Sequence, residues 1–210
     1  MSRTRTGSLA WLLAAIIVAG CGAPATTPAP EPAAALPASP PAAQFLAALS
    51  TLCRQAFAGR ITANEPRAAN DPFEGRELVM HVRTCGPGRI LVPFHVGDDR
   101  SRTFVITLVG DRLRLKHDHR HKDGTEDVLT MYGGDTVAAG TATRQEFPVD
   151  DFSKELFTRE NREVSNTNTW AMEMHRGRTF AYELSRPGRM FRVEFDLTRR
   201  VPAPPPAWGQ

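Results

Sequence analysis

Arg102-Thr103-Phe104-Val105-Ile106-Thr107-Leu108-Val109, Gly110-Asp111 and Arg112-Leu113-Arg114-Leu115-Lys116-His117-Asp118-His119-Arg120-His121 form the stretch on which the fold turns. Successive side chains of a strand point to opposite faces, so residues two apart share a face. Phe104, Ile106 and Leu108 therefore oppose Thr103, Val105 and Thr107. Beyond the Gly-Asp turn, Leu113, Leu115, His117, His119 and His121 oppose Arg114, Lys116, Asp118 and Arg120. Two alternating runs joined by a two-residue turn are a β-hairpin with one apolar face.

The same period extends in both directions. Arg76 to Thr84 and Arg89 to Val96 read as strands before the hairpin, separated by Gly-Pro-Gly, with Gly-Asp-Asp leading into it. After it come Asp127 to Tyr132, a Gly133-Gly134 turn and a strand from Thr141 to Phe147. Asn168 to Met174, Thr179 to Leu184 and Met190 to Leu197 close the series through Arg-Gly-Arg and Arg-Pro-Gly-Arg turns. Two segments break the pattern. Gln44 to Ala58 carries Phe45, Leu49, Leu52, Cys53, Ala56 and Phe57 at helical spacing, with Gly59 as its stop. Asp150 or Asp151 caps a short helix bearing Phe152 and Leu156.

Connections this short leave no room for parallel crossovers, so the fold class is all-β, an antiparallel meander of about eight or nine strands. Such a meander hides its edges best by curling into an up-and-down barrel. A two-sheet sandwich is the alternative. A leading helix, a barrel and one inserted helix resemble the calycin group, the lipocalins and their relatives, in architecture.

The ends are compositionally distinct. Arg3 and Arg5 precede the apolar run Ala10 to Gly20, and Val18-Ala19-Gly20-Cys21 closes it. The run is shorter than the ~20 residues that span a bilayer. This arrangement resembles the signal peptide and lipobox of bacterial lipoproteins. The resemblance implies a signal peptide over 1–20, acylation of Cys21 and a membrane anchor. The residue after Cys21 is Gly22 and not aspartate, which in a Gram-negative cell implies the outer membrane, facing the periplasm. Residues 21–43 are rich in Pro and Ala and read as a tether; 44–200 form the single β-rich domain. The Pro-rich tail 201–210 is expected to be mobile. In an exported chain the two remaining cysteines, Cys53 and Cys85, pair most simply as a disulfide. Its closure contributes about 3–4 kcal/mol in the chain-entropy model.

Net charge excludes one class of partner. The chain has 26 basic and 23 acidic residues, but Arg3 and Arg5 leave with the signal peptide and the remaining charges are interspersed. Nucleic acid is therefore not an expected partner. No Gly-x-Ser-x-Gly, His-Glu-x-x-His, Gly-x-Gly-x-x-Gly or phosphate-loop motif occurs.

Three constellations have a chemical reading. His117, His119 and His121 on one strand face could hold Zn²⁺ or Cu²⁺, with Asp123, Glu126 and Asp127 beyond them; satisfied structural histidines are the plainer reading. His81, His95 and His175 read as structural. Phe104, Trp170, Phe180, Tyr182, Phe191 and Phe195 read as core, or as the lining of a ligand cavity. Arg186, Arg189 and Arg192 read as a solvated strand face, with a site for an anion or lipid head group as the alternative. The leading expectation is a non-catalytic, membrane-anchored lipoprotein whose domain binds a small ligand or an envelope partner. A metal-binding, hydrolytic protein and a structural or assembly role are the alternatives.

Overall fold

The computed structural model describes residues 39–67 and 70–210; the expected signal peptide, Cys21 and most of the expected tether lie outside them. Helix α1 (Pro41–Ser50) leads into β1 (Gln55–Glu65), β2 (Leu78–Val82), β3 (Thr84–Gly86), β4 (Arg89–Val96), β5 (Asp99–Val109), β6 (Arg112–His119) and β7 (Tyr132–Asp135). Then follow β8 (Arg144–Pro148), α2 (Asp151–Arg159), a 3₁₀ turn (Glu163–Thr167), β9 (Thr169–His175), β10 (Thr179–Arg186) and β11 (Arg189–Val201). All pairings are antiparallel, in the order β7-β6-β5-β4-β2-β1-β11-β10-β9-β8, with β3 set beside β4. Because β1 pairs with both β2 and β11, the first and last strands meet and the sheet curls into a nearly closed barrel. The all-β barrel agrees with the calycin-like architecture expected.

The one unpaired seam runs between β7 and β8. It is held by two hydrogen bonds rather than by a ladder: Asp150 N–H donates to the Gly133 carbonyl at 2.9 Å, and Gly133 N–H donates to Ser153 Oγ at 2.8 Å. Asp150 also caps α2, accepting from Ser153 N–H at 2.9 Å, and its other oxygen takes Lys116 Nζ at 2.5 Å. The start of α2 is thus a clasp across the seam. Phe152 of this helix is exposed, and Leu156 and Phe157 turn inward instead.

Helix α1 closes one end of the barrel. It begins with proline at its first turn, where the missing N–H costs nothing. Ala42, Phe45, Leu46, Ala48 and Leu49 are buried, and the helix packs against β5, β6, β8 and β9, on both sides of the seam. The Cys53–Cys85 disulfide follows α1 and fixes it to β3, with the Cα atoms 6.1 Å apart.

Three expectations are corrected. The helix stops at Ser50, and Gln55–Glu65 is an eleven-residue strand; Gly59 lies within it, where a Cβ would sit 2.6 Å from the Phe195 ring. Asp127 to Met131 is a loop, and Gly133-Gly134 belongs to β7 rather than to a turn. The tail is laid against the barrel. Trp208 N–H donates to the Arg100 carbonyl at 3.0 Å, Gln210 Nε2 donates to Thr103 Oγ1 at 2.8 Å, and Ala207 is buried.

Candidate functional site

Strand register sorts the interior into levels. From the α1 end, Leu108 faces Leu113, Ile106 faces Leu115, Phe104 faces His117 and Arg102 faces His119. On the opposite wall Phe180 pairs with Phe195, Tyr182 with Val193, Leu184 with Phe191 and Arg186 with Arg189. Apolar residues therefore fill the closed end, aromatics and histidine the middle, and arginines the mouth. At this open end lies a cavity of about 380 Å³, whose wall includes Phe94, Phe104, His117, Trp170, Tyr182 and Phe191. Phe73, from the loop between β1 and β2, leans over the mouth with its ring 4.8 Å from Phe191 and 5.9 Å from Phe94. Leu129, Tyr132 and Phe157 complete the other side.

The histidines of β6 serve tyrosines. His117, only 3 % exposed, has Nδ1 at 3.1 Å from the Tyr132 carbonyl and Nε2 at 2.9 Å from the Tyr182 hydroxyl. A carbonyl can only accept, so Nδ1 carries the proton and Nε2 accepts from the tyrosine. His117 also stacks on the Tyr132 ring at 4.6 Å. His119 Nε2 lies 3.1 Å from the Tyr132 hydroxyl. Burial lowers His117 to about 3, helped by the His119 charge and opposed by the Tyr132 carbonyl. Burial and then the Arg102 charge lower His119 to about 4. Burial pushes Tyr132 up to about 12 and raises Tyr182 as well. Near neutral pH both histidines and both tyrosines are therefore uncharged. The middle of the cavity offers apolar contact and a few neutral hydrogen-bonding groups.

His121 lies outside the strand, which ends at His119. Its side chain is 57 % exposed, and its Nδ1 lies 3.9 Å from Asp127. Asp123 accepts from Thr125, and Glu126 pairs with Arg120. Among the described residues no group of three or more His, Cys, Asp or Glu side chains is arranged to hold an ion. Of the other histidines, His175 is exposed and pairs with Glu173 at 2.6 Å, while His81 and His95 are buried on the outer side of β2 and β4.

The three arginines divide between the two sides of the wall. Arg192 points outward into a ladder of ion pairs with Glu183, Glu173 and Glu194, which Arg144 extends. Arg186 and Arg189 line the cavity mouth with Arg102 and Arg162. Sequence reading missed Phe73, Phe94, Leu129, Tyr132, Phe157 and Leu184 as cavity residues, and Arg102 and Arg162 at the mouth. Only Phe73, a lone aromatic in a polar loop, carried a visible signal.

No protein-family model matches this chain, and no curated protein or solved structure is found to be similar to it.

Proposed function

We propose that this chain is a lipid-anchored envelope protein whose barrel binds a small, largely apolar ligand and catalyses no reaction. The observation that carries the binding reading is the cavity of about 380 Å³, walled by aromatics and open at one end of a barrel whose other end α1 closes. Ligand sites of this kind are concave, mostly apolar and supplied with a few placed polar groups, from roughly 300 Å³ upward. Tyr132, Tyr182, His117 and His119 are such groups.

N-phenyl-1-naphthylamine, a neutral apolar dye that fluoresces on leaving water, tests the cavity. Saturable binding to a single site is expected. Leu184→Trp, which adds bulk to the cavity wall, should weaken it by about tenfold or more, equivalent to about 1.4 kcal/mol. Circular dichroism of that variant checks that the barrel persists. A dye signal that rises without saturating, or that Leu184→Trp leaves unchanged, ends the reading.

The membrane address rests on the lipobox residues Val18-Ala19-Gly20-Cys21 and the proline-rich stretch behind them. Acyl chains on one cysteine give stable anchoring, at about 0.8 kcal/mol per buried CH₂. Cys21→Ser in the native cell should abolish palmitate labelling and stop delivery of the lipid-anchored form. Undiminished labelling would remove this part of the proposal.

A further inference from the structure

The mouth of the cavity carries a charge imbalance. Four guanidinium groups line it, from Arg102, Arg162, Arg186 and Arg189, against the single carboxylate of Asp127. Two of the four are committed elsewhere. Arg102 holds Asp99 at 2.5 Å and lies over the Phe73 ring at 5.3 Å. Arg189 lies 3.8 Å from Asp71, donates to the carbonyls of Glu65 and Met190, and sits over Phe191 at 5.6 Å.

Arg186 is different. It is half-buried, it faces Arg189 across the β10–β11 ladder, and it donates to the neutral Asn168 Oδ1 at 3.1 Å. Among the described residues it takes part in no ion pair. A partly desolvated cation beside a like charge is costly unless an anion joins it. The register then supplies the rest of a ligand's outline. Directly inward from Arg186 and Arg189 come Leu184 and Phe191, followed by Tyr182.

We propose that the ligand is a single-chain amphiphile with an anionic head: Arg186, beside Arg189, holds the head at the mouth while the chain fills the aromatic cavity. This rests on the binding reading above and names its ligand class. The planar guanidinium fork matches a carboxylate and a phosphate monoester alike, so both heads fit. A volume of about 380 Å³ admits roughly a dozen heavy atoms, at about 30 Å³ for each water-sized group.

Decanoate, decyl phosphate, decanol and decylamine share a chain of that size and differ in the head. Titration calorimetry of the full chain in phosphatidylcholine nanodiscs, with empty nanodiscs as blank, compares them. Decanoate, decyl phosphate or both should bind about tenfold or more tightly than decanol, and decylamine should bind no better than decanol. If only one anion shows the preference, that head identifies the source. Arg186→Gln should abolish the preference without weakening decanol binding, whereas Arg186→Lys should keep most of it. Arg60→Gln, on the exposed outer wall, should change nothing. Decanol binding as tightly as both anions would overturn the anionic head and leave the cavity reading intact. An anion preference that survives Arg186→Gln would overturn the residue assignment. Failure of all four to bind would overturn the cavity reading and this inference with it.

Discussion

Gly134→Ala is expected to destabilise the barrel by about 4 kcal/mol or more, because it puts a methyl group where two backbones already touch. A Cβ on Gly134 would lie 1.8 Å from the Pro148 carbonyl oxygen and 2.9 Å from its carbon. Neither atom belongs to a flexible side chain, so relief requires β7 and β8 to separate. Separation would break the bonds that clasp the seam, from Asp150 N–H to the Gly133 carbonyl and from Gly133 N–H to Ser153. It would also shift Tyr132, two residues away, whose carbonyl and ring hold His117. Loss of stability should therefore bring loss of dye binding. Gly86→Ala is the matched control, since its nearest neighbour would be the Arg89 carbonyl at an ordinary 3.8 Å. Urea unfolding followed by circular dichroism measures both. A Gly134→Ala barrel within about 1 kcal/mol of wild type would mean that the seam is not closed by backbone contact.

This glycine pair also marks where sequence reading stops. Locally, Gly-Gly between apolar runs is a turn signal. Its actual role is to let the Leu115 and Pro148 carbonyls approach closely, a relation between strands distant in the chain. The same limit explains β1. Ala56 and Phe57 continue the helical spacing of α1, and what makes them strand is pairing with β2 on one side and β11 on the other. By contrast, β4 spans the predicted residues, and β5 and β6 present the predicted inner face, where Phe104, Ile106, Leu113, Leu115 and His117 are buried. The disulfide was legible from the count of cysteines in a chain whose first residues read as an export signal, and the structure contains it. The site was half legible. Alternation placed His117 on the inner wall, but its partner Tyr182 comes from across the barrel. Nor could strand pattern separate Arg192 from Arg186 and Arg189 in function until parity was joined to register: Arg192 falls on the outer phase, and the other two meet at the rim.

Acidification should destabilise the protein well before its carboxylates titrate. His95, like His119, is lowered to about 4, chiefly by burial; the His81 and Arg100 charges add to this and Asp99 opposes it. The His95 Nε2 has no hydrogen-bond partner, and no charge near it offsets burial enough to restore its ordinary value. Around His117 stand His119 and Lys116; around His119 stand Arg102 on one side and Asp127, Asp99 and Asp118 on the other. All three histidines have folded values below the unfolded value of about 6.5, so the unfolded chain binds protons first. Stability is therefore complete above about pH 6.5 and falls as pH drops from there toward the folded values. Each fully shifted histidine contributes a slope of about 1.4 kcal/mol per pH unit. With allowance for the partial exposure of His119, the loss between about pH 6.5 and pH 4 should be on the order of 5 kcal/mol. The lowered carboxyls of Asp99, Asp150, Glu173 and Glu183 act later, because their contribution starts to fall only as pH drops through their unfolded values near about 4. The higher window thus belongs to the histidines. Urea midpoints taken in steps from about pH 7.5 to pH 4.5 measure it, and His117→Gln should remove one histidine's share of the slope. A stability that stays level across that range would show that these rings are not held neutral by burial. The cavity would then acquire a charged middle below about pH 6.5.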